Sequence, residues 1–117
     1  NYPSVMEKKN SAFFGRGMVF NKYTGARGKS GCNDANAEYM AELRSIMEKH
    51  DVSFQTAELG KVDAGGGGTI AYILAQYNME VIDCGVALHN MHAPWEVASK
   101  VDIYETMKGY RAFLIEA

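Results

Sequence analysis

The sequence predicts an α/β fold, and three observations predict it. Apolar and aromatic runs of strand length occur, other segments repeat apolar residues at helical spacing, and the two kinds alternate along the chain. Such alternation belongs to a layered α/β domain, in which right-handed crossovers make much of the sheet parallel. Ligands of these sheets gather at the carboxyl ends of the strands.

A first strand is expected over residues 17–23, where Met18-Val19-Phe20 forms an apolar run opened by Gly17. Residues 24–33 are polar and glycine-rich and read as a loop. Over 34–50, Tyr39, Met40, Leu43, Ile46 and Met47 recur at helical spacing. Asn33 or Asp34 can cap that helix, and Lys49 suits the dipole at its far end. A second strand is expected over 52–59, closed by Gly60. After a loop over 61–68, Ile70, Ile73, Leu74 and Tyr77 fall at i, i+3, i+4 and i+7, the buried stripe of a short helix. A third strand over 79–83, an irregular stretch over 84–94 and a final helix over 96–115 complete the chain, the last with Val97, Val101, Tyr104, Met107 and Leu114 on its inner face. The loops over 60–68 and 84–94 both follow strands, so they can meet at one edge of the sheet. With no internal repeat and no linker, one domain suffices.

Bulk properties narrow the function. A chain of 117 residues that is 47% hydrophobic and 22% charged can bury one core. Its net charge of −2 offers no basic surface to nucleic acid or to an anionic membrane, and no apolar run approaches a membrane span. The two cysteines, Cys32 and Cys84, without a secretory leader, suit reduced thiols in a cytoplasm. The opening Asn1-Tyr2-Pro3 lacks an initiator methionine and reads as the start of a piece of something longer.

Four successive glycines, Gly65 to Gly68, stand before the short helix, where the backbone must bend tightly or approach a ligand closely. A dinucleotide fingerprint would need glycine at position 70, which is Ile70, and the phosphate-loop tail Gly28-Lys29-Ser30 has Tyr23 where a glycine belongs. A tight turn, or a wall of backbone amides open to a carboxylate or oxyanion, remains. His89 and His92, flanked by Asp83 and Glu96, concentrate nitrogen and oxygen donors suited to a borderline metal such as zinc, but without the cysteines or helix context of a specific metal motif, hydrogen-bonded histidines under a loop are the plainer reading. His50 reads as structural, Cys84 as an inert thiol, and Glu38, Glu42 and Glu48 as a solvated helix face. Asp63 reads first as a loop cap, with pairing to a lysine such as Lys61 or contact to a substrate amine as alternatives. No serine, histidine and acid are arranged as in a serine hydrolase.

Taken together, Asp63-Ala64-Gly65-Gly66-Gly67-Gly68-Thr69-Ile70, Ile82-Asp83-Cys84-Gly85 and Met91-His92-Ala93-Pro94-Trp95-Glu96 resemble the C-terminal motifs of the aspartyl aminopeptidase and vacuolar aminopeptidase I family. Residues 22–29 and 104–110 resemble its bacterial branch, so the resemblance covers essentially the whole chain. It implies a three-layer α/β/α zinc-peptidase sheet, of which residues 1–117 form only the C-terminal segment. It further implies a parent enzyme that removes N-terminal residues from peptides with two zinc ions, or cobalt or manganese, and that forms homo-oligomers, dodecamers being the family's familiar form.

By the same resemblance His92 is a metal ligand, and Asp63, Gly67, Gly68, Thr69 and Lys22 line the substrate site. Glu96, four residues beyond His92, could orient the ring or its loop by hydrogen bonding. No catalytic residue lies within the chain, and with the other metal ligands absent it is expected to be inactive alone. The aspartyl branch has Thr-Pro-Cys-Gly where Ala64 to Gly67 stand, so a preference for acidic N-terminal residues does not carry over. The competing expectation is a stand-alone small α/β module that binds an anion at the glycine loop or assembles with itself.

Overall fold

The computed structural model describes residues 3–26, 30–62, 64 and 70–117. Its centre is a sheet of three strands, with β1 (Met18–Asn21) between β4 (Phe54–Thr56) and β5 (Asp83–Gly85). The β1–β4 pair is parallel, with Met18 opposite Phe54, and the β1–β5 pair is antiparallel, with Val19 opposite Gly85. The sheet is therefore mixed, as a crossover through α1 (Ala37–Lys49) into β4 and a separate return into β5 require.

Side chains of β1 alternate between two faces. Met18 and Phe20 are buried with Leu43, Ile46 and Met47 of α1, Val52, and Ala112 of α3 (Lys100–Glu116), whereas Val19 meets Ala57, Ala87 and Ala12 on the other side. Both long helices thus cover one face. Gly109 is where α3 comes closest, since a Cβ there would overlap Met18 Sδ. Gly17 is constrained twice, by a φ of +83° and by the Ser53 carbonyl in the place a side chain would take.

The helix expected over 34–50 forms with its apolar stripe inward, but it starts later. Asn36 is the cap, its side chain accepting from Tyr39 N–H at 2.8 Å. Asn33 and Asp34 are unavailable as caps because residues 24–33 are not a loop: β2 (Tyr23–Ala26) and β3 (Ser30–Asp34) make an antiparallel hairpin with a register shift between Thr24 and Ala26. Their glycines hid the pairing from an apolar pattern, yet Gly25 is what lets β2 lie against Cys32. The third strand falls at 83–85 rather than 79–83, and residues 84–94 contain β6 (Leu88–His89), which pairs with β7 (Val97–Ala98).

Two helix faces point opposite to expectation. In α2 (Ala71–Ala75) the buried residue is Ala71, and Ile70, Ile73, Leu74 and Tyr77 are exposed. In α3 the buried residues are Asp102, Thr106, Gly109 and Ala112, while Val101, Tyr104, Met107 and Leu114, with Val97 before the helix, are exposed. The sheet takes the small and polar side of α3 because β1 and β5 approach closely there. Asp102, fully buried, accepts from Gly15 N–H at 2.8 Å and Gly17 N–H at 2.9 Å, and Thr106 donates to the Asp102 carbonyl at 2.7 Å.

Candidate functional site

His92 occupies the turn between β6 and β7. It and Asn90 both adopt the left-handed conformation, at φ +68° and +57°. The turn is closed by Ala93 N–H donating to the Asn90 carbonyl at 3.0 Å and by Asn90 Nδ2 donating to the Trp95 carbonyl at 3.3 Å. Strain in a non-glycine residue persists only where its surroundings hold it, and here it turns an imidazole to solvent. Both histidines of the motif are exposed and differ in contact: the His89 ring lies tilted against Phe14 with centroids 4.5 Å apart, and His92 sits in the turn. Glu96 is also exposed, and among the described residues no hydrogen bond or ion pair joins it to His92.

Lys22 stands at the corner where the chain leaves β1 for β2. Its carbonyl accepts from Ala35 N–H at 2.8 Å and its ammonium pairs with Asp34. An open groove of about 570 Å³ runs beside it, bounded by Met40, Arg44, Phe54 and Thr56. Asp63, Gly67, Gly68 and Thr69 lie outside the described residues, as do the other two glycines of the run and Gly28-Lys29. Of the expected site residues, Lys22, His92 and Glu96 are the ones described.

Other titratable groups behave structurally. His50 engages Glu116 at 2.8 Å, and that carboxylate, also bonded by Lys49, is held below the usual glutamate range by these two partners. Burial raises the Cys84 thiol, against a lowering contact from Tyr110, which suits an inert cysteine. Tyr110, an exposed residue whose phenol is partly desolvated and meets that thiol, is pushed up to about 12. The sequence reading missed Asp102 and Glu58, both buried at least in part. Ser99-x-x-Asp102 opening a helix was the available signal for the first, and Ser99 Oγ does cap the Asp102 N–H, at 3.4 Å.

A model of the aminopeptidase I zinc metalloprotease (M18) family matches residues 1–114. The chain belongs to the M18 family. It is 76% identical over 114 residues to a protein of Clostridium acetobutylicum named as a probable M18 family aminopeptidase 1, covering 97% of this chain and 24% of that relative. The solved aminopeptidase I of the same organism superposes with a TM-score of 0.88 over 97% of this chain and 25% of its own. The M18 aminopeptidase of Thermotoga maritima, 47% identical, superposes with a TM-score of 0.87 over 97% of this chain and 25% of its own. The chain thus spans about a quarter of the length of these M18 relatives, and its mixed sheet is part of the family's α/β peptidase domain.

A zinc site needs three or four protein donors at short range. Among the described residues no group of three or more histidine, cysteine, aspartate or glutamate side chains is placed to hold a metal. One exposed imidazole does not fit a zinc ion by itself. No described helix is long and apolar enough to cross a membrane.

Proposed function

We propose that the parent of this chain is a cytoplasmic metal-dependent aminopeptidase that removes N-terminal residues from peptides, and that residues 1–117 are the C-terminal segment of its catalytic domain. Membership of a family described as zinc metalloproteases carries the reading. In it His92 is one ligand of a two-zinc centre that cobalt or manganese could also fill, and the remaining ligands come from the rest of the domain. Zinc in such a centre supplies Lewis acidity toward the scissile carbonyl. The residues of this chain bind and orient: Lys22, Asp63, Gly67, Gly68 and Thr69 form the wall against which the peptide lies, and Glu96, which makes no bond to His92 here, would orient that ring only in the complete centre. The chain alone is expected to be inactive, because the reading places the catalytic base and the other metal ligands outside it, and among the described residues no three donors come together.

The exposed apolar sides of α2 and α3 support this reading. Ile70, Ile73, Leu74 and Tyr77 on one helix and Val101, Tyr104, Met107 and Leu114 on the other are surfaces that the remaining three quarters of a relative's length could cover. Homo-oligomers of the whole enzyme belong to the same proposal.

The test is complementation. The chain is mixed or co-expressed with a separately made N-terminal portion of the Clostridium relative, and hydrolysis of peptide substrates is followed with zinc present. Activity that requires both pieces and is lost in His92→Ala supports the proposal. Tight zinc binding or hydrolysis by the chain alone would overturn it.

A further inference from the structure

Glu58 follows β4 and presents a carboxyl with one satisfied and one unsatisfied side. Tyr23 N–H hydrogen-bonds the carboxylate, yet Oε2 is closed to solvent and is the one buried side-chain polar atom without a partner among the described residues. Beside it is a void of about 10 Å³, lined by Tyr23, Gly25, Gly60, Lys61 and Val62, which is room for one water. Around this carboxyl the charges are Lys22, which favours ionisation, and Asp34, which opposes it; burial opposes it most, and the carboxyl is raised above the usual glutamate range.

The backbone at Glu58 is held from the other side. Glu58 N–H donates to the Asn10 carbonyl at 2.7 Å, Asn10 Nδ2 to the Gly60 carbonyl at 3.2 Å, and Lys61 N–H to the Val5 carbonyl at 2.8 Å. Segment 58–61 is therefore clamped to residues 5–10, and its carboxyl is the side-chain link that crosses inward to the Lys22–Tyr23 corner. The Lys22 carbonyl is bound separately by Ala35.

We infer that Glu58 is a positioning residue, whose carboxyl joins the Lys22–Tyr23 corner to the segment that leads into the glycine run. An ionised Oε2 in a closed space demands a donor, from a water in the void or from the nearby Lys22 ammonium, whereas a protonated one becomes a donor and demands an acceptor. Gain or loss of this proton consequently acts on both ends of the link. Its functional meaning rests on the proposed substrate-side role of Lys22 and residues 63–69, but the link itself belongs to this chain and is tested without peptidase activity.

The experiment is a nuclear magnetic resonance titration of the isotope-labelled chain from acid to neutral pH, with Glu58→Gln beside wild type. Expected is one common midpoint, above the ordinary glutamate range, for the Glu58 carboxyl carbon and for the Tyr23, Asn10 and Lys61 amides. Glu58→Gln, which keeps an oxygen for Tyr23 N–H, retains the folded spectrum and loses that midpoint everywhere. Asn10 and Lys61 signals that stay flat while Tyr23 titrates would overturn the inference, as would the same midpoint persisting in Glu58→Gln. The wild-type titration decides the matter even if the variant fails to fold. Either result leaves the aminopeptidase reading to complementation, so the two can fail separately.

Discussion

Replacing Asp102 with alanine tests whether a polar contact organises the core. The carboxylate is fully buried and accepts the Gly15 and Gly17 backbone amides at 2.8 and 2.9 Å. Hydrogen bonds to a charged acceptor are worth about 1.5–3 kcal/mol each, and a buried donor left alone costs about 1–3 kcal/mol. Gly17 N–H is buried and would lose the one acceptor it has among the described residues, whereas the part-buried Gly15 N–H can turn to water. Removing the carboxylate also removes the cost of burying it, so the net loss is about 3 kcal/mol. With a urea slope of about 2 kcal/mol/M, the unfolding midpoint falls by about 1.5 M, read by far-ultraviolet circular dichroism. Asp102→Asn keeps one acceptor and should lose about half as much. A midpoint for Asp102→Ala within about 0.3 M of wild type would refute the reasoning and return α3 to hydrophobic packing alone.

Three further outcomes are expected. Gly109→Ala gains about 1 kcal/mol of helix propensity but drives a methyl group into Met18, an overpacking cost of about 1–3 kcal/mol, so the urea midpoint falls; a rise would mean that Met18 yields freely. His92→Ala leaves stability within about 0.5 kcal/mol of wild type, its ring being exposed, while it abolishes activity in the complemented enzyme; a large stability loss would make His92 structural. Glu116 has a carboxylate held low by Lys49 and His50, so its contribution is present above the ordinary glutamate pKa and lost as pH falls through the lower folded value. Glu116→Gln should flatten the acid limb of the stability profile below the ordinary glutamate pKa, and an unchanged limb would show that these exposed contacts contribute nothing.

What the sequence made legible follows from which forces leave a periodic trace. Leu43, Ile46 and Met47 repeat at helical spacing and are buried as that spacing requires, and Met18 and Phe20 alternate with Val19 across the sheet. The β2–β3 hairpin left no such trace, because its residues Thr24, Gly25, Gly31 and Asn33 satisfy a backbone ladder and side-chain hydrogen bonds rather than an apolar face. Asn33, for instance, donates its Nδ2 to the Val81 carbonyl at 2.8 Å. Asp102 was hidden for a related reason: a buried carboxylate looks, in a sequence, like a solvated one until its two amide partners some 85 residues away are known. Of the site, the His92 motif was legible as residues, but the left-handed turn that presents its ring was not.

The two misplaced helix faces have one cause. Hydrophobic periodicity states that a helix face is apolar, not which neighbour it meets. On α3 the face toward the sheet carries Thr106, Gly109 and Ala112, since only small or hydrogen-bonded side chains fit where Thr106 Oγ reaches the Gly85 carbonyl at 3.4 Å. Beside it, Met107, Tyr110 and Leu114 are spaced as a second apolar stripe, and Tyr110 leans over the sheet edge to donate to the Cys84 carbonyl at 3.3 Å. A helix designed to meet one sheet and then solvent would not carry both patterns, because the second costs solubility and returns no burial. The pair makes sense for a helix packed on two sides, and in the proposed reading the second side is supplied by the larger part of the peptidase domain. In the proposed reading the exposed His92 ring and the exposed stripes are one phenomenon: chemistry and packing surface alike wait on donors and apolar area that the described residues do not supply.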